Sequence, residues 1–384
     1  MKLSSGTKCR CTLGELIECF DNKRIPLSAQ ERATRKGPYR YYGAQNVVDH
    51  IDAYLFDGEY ALIAEDGENL RSQKQDVAQI VEGQFWVNNH AHIIQANANA
   101  DLWYLCALLN QTDISRYISG SAQPKLSQEG MRKIVVEVPD VQEQRRIGLL
   151  LRCLDRKIAL NRKKIATLEK MAKEIYDYWF VQYDFPDANG RPYKSSGGEM
   201  VYSPELKREI PKGWKVEQLK DVLKVCNGKD HKSLKDGTIP VYGSGGVMRC
   251  VDTAMYSQPS VLIPRKGTLN NIIYARKPFW CVDTIFYTTS TVSNFTKYLY
   301  YSIRDMDFMS LNTGTAVPSM TAGVIGLIAI PMPTLGLLES FDKTLEHLFL
   351  SRDSAQDEVD RLITLRDFLL PLLMNGQVRI GGVA

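Results

Sequence analysis

Four places along the chain carry residue types that could do chemistry. His90 and His92 form an H-x-H behind Asn88 and Asn89. On a strand both rings fall on one face, as two metal ligands would, yet no third ligand accompanies them. They are read as a polar strand face or a recognition surface. Pro186-Asp187, followed by Glu205-Leu206-Lys207, fits the loose carboxylate and lysine pattern of nucleases. That pattern is permissive, and here it lies in a Gly/Ser/Pro-rich stretch instead of on paired strands. Tyr242 to Val247, "YGSGGV", is the nearest thing to a phosphate-cradling glycine cluster. It matches "YGAQNV" at Tyr42 to Val47, which makes it a turn. Cys9-x-Cys11 with Cys19 has poor zinc spacing, and none of the eight cysteines forms a C-x-x-C pair. No P-loop, no methyltransferase motif and no Ser/His/Asp logic is present. No catalytic residue and no metal ligand is assigned.

The elements that would position a site are more informative. The chain has 384 residues, 44% hydrophobic and 24% charged, enough for two or three ordinary globular domains. A net charge of +4 permits nucleic-acid binding without demanding it. There is no apolar run of membrane-spanning length, and the N-terminal residues lack a signal-peptide pattern. The expected location is the cytoplasm, with the thiols reduced.

The decisive feature is a repeat. The seam "SGSAQPKLSQEGMRKIVVEVP", Ser119 to Pro139, returns as "NTGTAVPSMTAGVIGLIAIPMP" from Asn312. Gly120, Ala122, Pro124, Ile134 and Pro139 match Gly314, Ala316, Pro318, Ile328 and Pro333, each 194 positions on. Tyr42-Gly43, Leu62-Ile63 and Gly67 match Tyr242-Gly243, Leu262-Ile263 and Gly267 at an offset of 200. The offset has returned to 194 at Phe85-Trp86 and Phe279-Trp280, so the second copy has lost six residues in between. Each copy is a mixed α/β module, with short strands such as "YALIA" and "SVLIP" and a helix at 101–110 or 295–304. The seam is its joint: Gly120 and Gly314 allow the turn, and Pro124 and Pro318 stiffen it.

Each module ends in a long helix. Leu151, Ile158 and Ile165 with Leu154, Leu168 and Ile175 form an a/d stripe in the first. In the second, Leu345 and Val359 with Leu348, Leu362 and Leu369 do so, interrupted at Arg352 and Arg366. Residues 143–174 hold ten Lys/Arg against four Asp/Glu, and residues 339–367 hold four against eight. Opposite charge favours pairing these helices with each other, antiparallel and in coiled-coil fashion. The expected fold class is α+β, with two similar α/β modules separated by two long antiparallel helices in a pseudo-twofold repeat. The expected boundaries are 1–140 for the first module and 141–180 for its helix. A central linker at 181–212 follows, then the second module at 213–335, its helix at 336–376 and a tail at 377–384. A helix of about 40 residues is roughly 60 Å long, the scale of a ruler between two DNA contacts.

The central block "YDYWFVQYDFPDANGRPYKSSGGEMVYSPELKREIPKGW", with "GSAQPKLS" and the helix after "VPDVQEQRRI", resembles the specificity subunits of type I restriction-modification enzymes. The resemblance covers nearly the whole chain. It implies a non-catalytic subunit whose two target recognition domains each read one half of a split double-stranded DNA sequence, while the helices set the unread spacer. It also implies docking of modification and restriction subunits, with S-adenosylmethionine, ATP and Mg2+ bound there and no cofactor on this chain. Tyr176, Trp179, Phe180 and Phe185 are the expected docking residues. Arg71, Lys74, Arg265, Lys266, Asn270 and Asn271, on loops after short strands, are the expected DNA contacts. Lys125 is a candidate private to the first half, since Ser319 replaces it. Two other readings compete. A stand-alone nuclease or methyltransferase would act without partners, and a protein-only scaffold would show no salt-dependent DNA binding.

Overall fold

The computed structural model describes residues 8–120 and 123–381, so Ala122 of the seam lies outside the described residues. The chain forms two compact units. One comprises Met1–Arg162 with Gln356–Ala384, and the other Lys163–Ala355.

In the first unit the strand Phe56–Ala64 is central to a six-stranded sheet. In spatial order the strands are Ile17–Cys19, Ala91–Ala96, Phe56–Ala64, Ala78–Val87, Lys36–Tyr42 and Val47–Ile51. Adjacent strands are antiparallel except Lys36–Tyr42 against Ala78–Val87. Residues Ala61 to Ala64 are all buried because both sheet faces are covered. Ala61 and Ile63 pack under the helix Leu102–Asn110, while Leu62 packs with Phe56 and Phe85. This explains a continuous apolar run where a one-sided sheet would alternate. Each such Leu or Ile contributes roughly 1.5–3 kcal/mol. The Asp101 carboxylate caps the helix by accepting the Tyr104 N–H at 2.9 Å.

The second unit repeats this order with one break. Leu223–Asn227, Ile285–Ser290, Ser260–Pro264 and Ile273–Ala275 form one sheet. Trp280–Cys281, Asp236–Gly243 and Gly246–Val251 form another. Ile273–Ala275 and Trp280–Cys281 stand where the first unit has the single strand Ala78–Val87. Pro278 falls in the gap; without an N–H it cannot continue the ladder. The duplication also reaches further towards the N-terminus than the matching residues suggested. Cys9–Thr12 pairs with Val135–Val138, as Lys215–Gln218 pairs with Ala329–Met332.

The long helices run Val141–Tyr176 and Leu335–Met374. Each passes through both units, and within each unit they run side by side and antiparallel. In the first unit Asn161 donates to Glu358 at 2.8 Å, Lys157 lies 3.3 Å from Glu358, and Arg366 donates to Asp155 at 3.0 Å. In the second, Arg352 lies 3.7 Å from Glu169. The stripe residues Leu151, Leu154, Ile158, Leu345 and Val359 are buried, and Ile165, Leu168, Ile175, Leu348, Leu362 and Leu369 are half-buried. Arg352 and Arg366 do not break the seam, since each meets an acid of the opposite helix. The charge bias does not act chiefly between the two helices, however. Two of these ion pairs run against the basic-to-acidic trend, and much of the helix charge goes to the modules instead. Arg152 meets Glu59 and Glu82 at 2.8 and 3.2 Å, and Arg156 meets Glu82 at 2.6 Å. In the second unit Arg276 meets Glu346 and Asp353, while the buried Lys297 meets Asp342 and Glu346.

The expected linker is ordered packing. Phe185 stacks on Tyr193 and Trp214 with centroids 4.7 and 5.6 Å apart, and Met200–Ser203 pairs with Arg208–Pro211. Asp187 is engaged by Arg191 and Glu205 by Ser203, so each carboxylate of the nuclease-like pattern has its own local partner.

Candidate nucleic-acid interface

In each unit four chain segments meet at one end of the sheet, held by backbone hydrogen bonds that repeat nearly one for one. The seam comes first. Gly67 donates to the Pro124 carbonyl at 3.2 Å, and Gly267 to that of Pro318 at 2.9 Å. Leu126 donates to Glu65 at 2.8 Å, and Met320 to Arg265 at 2.9 Å. Next come the turns behind the Phe-Trp pairs. Asn88 donates to Tyr42 and Val282 to Tyr242, both at 3.0 Å. Glu65 donates to His90 at 2.9 Å, and Arg265 to Thr284 at 2.8 Å. The tryptophans themselves anchor a further loop. The Trp86 indole donates to the Ile25 carbonyl at 2.6 Å, and Trp280 to that of Lys229 at 3.0 Å.

The seam glycines are required by close approach. A Cβ on Gly120 would lie 2.3 Å from the Gln123 carbonyl oxygen, and one on Gly314 would lie 2.2 Å from that of Val317. Gly120 also has φ +84°, which favours glycine. Gly314 is not in that region, so its side-chain loss serves packing and not backbone freedom.

The expected contact residues gather around this end. Arg71 and Lys74 are exposed, and Arg71 donates to the Gly120 carbonyl. Lys125 is exposed and ion-paired with Glu65 at 3.2 Å. Lys266 is exposed, whereas Arg265 is half-buried with its guanidinium 5.7 Å from the Phe286 ring centroid. Asn270 accepts from the Met309 N–H at 3.2 Å, and Asn271 donates to the Ser244 carbonyl at 2.8 Å. Both asparagines therefore brace loops within the second unit.

The four aromatics expected at a partner surface lie against the second unit's core. Trp179, Phe180 and Phe185 are buried in the second unit's core, and Tyr176 stacks on Tyr301 at 5.5 Å. Phe180 packs edge-on against Tyr298 and Phe341 at 4.7 and 4.8 Å. Trp179, Phe180 and Phe185 are thus committed to the core, while Tyr176 is half-buried at its edge.

The two histidines separate in role. His92 is buried; its Nδ1 lies 2.6 Å from Asp21 and its Nε2 2.8 Å from the Leu126 carbonyl. A carbonyl only accepts, so Nε2 carries a hydrogen. Asp21, Glu65 and His92 offer ligand atoms within 4.8 Å of one another, but both ring nitrogens are in use. Arg24 and Lys125 bring two cations to the same carboxylates. The group is an ion-paired fastener between sheet and seam. Burial pushes the Asp21 carboxyl up, but His92, the Ile93 N–H and Arg24 outweigh it and hold it below its ordinary value. Glu65 is lowered in the same way, with Arg24, His92 and Lys125 outweighing burial. Sequence reasoning missed this fastener because its members are 21, 24, 65, 92 and 125, and only folding unites them. His90, by contrast, is exposed, with Nδ1 2.6 Å from Asp66.

No helix among the described residues is long and apolar enough to cross a membrane. Residues 10–170 and 211–346 match the family described as type I restriction modification DNA specificity domain. The type I restriction enzyme MjaIX specificity subunit of Methanocaldococcus jannaschii is 25% identical over 309 residues, 72% of this chain and 69% of its own length. The HindI specificity subunit of Haemophilus influenzae is 22% identical over 368 residues, 74% of this chain and 80% of its own. The crystal structure of an S subunit from M. genitalium shares the fold, with a TM-score of 0.69 at 15% identity, covering 100% of this chain and 99% of that one.

Proposed function

The chain belongs to the type I restriction modification DNA specificity family, and from that premise we propose that it is the non-catalytic subunit that chooses the DNA sequence on which partner subunits act. One observation carries this reading furthest. The loop framework at the end of each sheet is duplicated in nearly all of its backbone hydrogen bonds, while the side chains displayed on it differ. A reader of two unlike half-sites needs that combination of fixed backbone and variable display. Phosphate contacts set register and orientation, and side chains on the loops read base edges in the grooves.

In this proposal each recognition module reads one half of a split target, and the long helices fix the spacer. Modification subunits supply S-adenosylmethionine chemistry, and restriction subunits supply ATP- and Mg2+-dependent translocation and cleavage. Docking falls to exposed apolar positions on the long helices, such as Leu149, Leu160, Leu365 and Phe368 of the first unit. The buried aromatics near residue 180 position the second module and do not touch a partner.

The test is binding of the purified full chain to duplex DNA as salt is varied. A log–log slope that grows with the number of neutralised phosphates is expected, together with preference for a two-part sequence. Methyl transfer or cleavage by the chain alone would contradict the reading.

A further inference from the structure

Positions 90 and 284 occupy the same place in the two units. The His90 carbonyl accepts from Glu65, and the Thr284 carbonyl from Arg265. The next residue of each loop bridges to the seam, Asp66 to Lys125 and Lys266 to Ser319. The backbone is duplicated and the side chains are not. In the first unit the Asp66 carboxylate holds His90 Nδ1 at 2.6 Å on a ring that is 49% exposed. In the second unit that pair is replaced by an exposed lysine and a half-buried threonine.

We infer that Asp66 with His90, and Lys266 with Thr284, are the specificity-determining pairs of the two halves. This rests on the DNA-reading proposal above. The chemistry of each pair selects a different base edge. A carboxylate accepts, so His90 Nδ1–H is the donor, and in the neutral form of the ring Nε2 is left as an acceptor. An acceptor at the groove suits the exocyclic amino group of adenine or cytosine. The Lys266 ammonium is a donor and suits the O6 and N7 acceptors of guanine. Asp66 is a positioning residue that fixes which His90 nitrogen is presented. Neither pair was visible as such in the sequence, because Asp66 and His90 are 24 positions apart and their counterparts share no residue type.

The experiment is selection from a randomised duplex DNA library by the full chain and by His90→Ala, Asp66→Asn and Lys266→Ala, each first checked for unaltered thermal unfolding. The wild type is expected to enrich a two-part sequence. His90→Ala should lower the preference at one base pair of one half by roughly tenfold and leave the other half intact. Asp66→Asn should lower it at the same base pair to a smaller degree, without changing the salt slope. Lys266→Ala should act on the other half. If the wild type enriches a sequence that His90→Ala and Lys266→Ala enrich unchanged, the inference falls and the DNA-reading proposal stands. If His90→Ala relaxes both halves equally, the inference also falls. If the wild type enriches nothing, the DNA-reading proposal falls and takes the inference with it.

Discussion

Gly67 donates its backbone N–H to the carbonyl of Pro124 at 3.2 Å, and the same bond recurs between Gly267 and Pro318 at 2.9 Å. The loop after the central strand is thereby tied to the joint that leads into the long helix. A contact made by the loop is transmitted to the joint through backbone, so the orientation of the display surface and that of the helix are set together.

The seam should therefore resist side chains. Gly120→Ala forces a Cβ to within 2.3 Å of the Gln123 carbonyl oxygen at φ +84°, and Gly314→Ala to within 2.2 Å of the Val317 oxygen. Each is expected to destabilise the protein by about 1–3 kcal/mol in denaturant titrations. Gly323→Ala is the control. It lies in the short helix Ala322–Gly326 with its nearest Cβ neighbour at 3.8 Å, and should be neutral or stabilising by up to about 1 kcal/mol. Equal tolerance of all three would remove the steric account of the joint.

Arg265→Ala combined with Lys266→Ala should weaken binding to specific DNA and alter only the half-site read by the second module. Loss of one phosphate contact lowers the salt slope by about 1. Unchanged affinity and an unchanged slope would show that this loop does not face DNA.

Acid should loosen the first unit through its ion-paired fastener. Asp21 and Glu65 have folded-state values below their ordinary ones. Such groups contribute stability that is full above the unfolded carboxylate range, about pH 4, and is lost as pH falls through the lowered folded values. The Asp21→Asn variant should show a shallower loss of stability between about pH 4 and the onset of acid unfolding than wild type. Parallel stability curves for the two proteins would rule the fastener out as a source of acid sensitivity.

Lys297 is 3% exposed, yet its ammonium reaches the Asp342 and Glu346 carboxylates at 2.9 and 2.5 Å. Lys297→Met keeps the length and removes the charge. Because both acids retain access to water, the expected cost is about 1–3 kcal/mol. Thermal unfolding measures it, and a gain in stability would mean that the ammonium's desolvation outweighs its bonds.

Much of the fold was legible because the repeat was legible. The constant offset from Phe85 through Pro139 fixed two like modules, and the heptad positions of Leu151, Ile158 and Leu345 announced helices with a buried stripe. The site was only partly legible, for physical reasons. Arg265 and Lys266 stood out as charges on a loop, but the partners of His90 and His92 are remote in sequence. The aromatics from Tyr176 to Phe185 read as a partner surface yet pack largely into the second unit's core, because an aromatic cluster has the same composition in a core as at an interface. The charge bias of the long helices was read as attraction between them, whereas Arg152, Arg156 and Glu346 answer to their own modules.

The most direct test maps modified bases across the genome of cells carrying this chain with the modification subunits proposed above, with the gene present and deleted. The account predicts modified bases at a two-part sequence with a fixed unread spacer, absent after deletion. Modification that survives deletion unchanged, or that follows one contiguous motif, would contradict it.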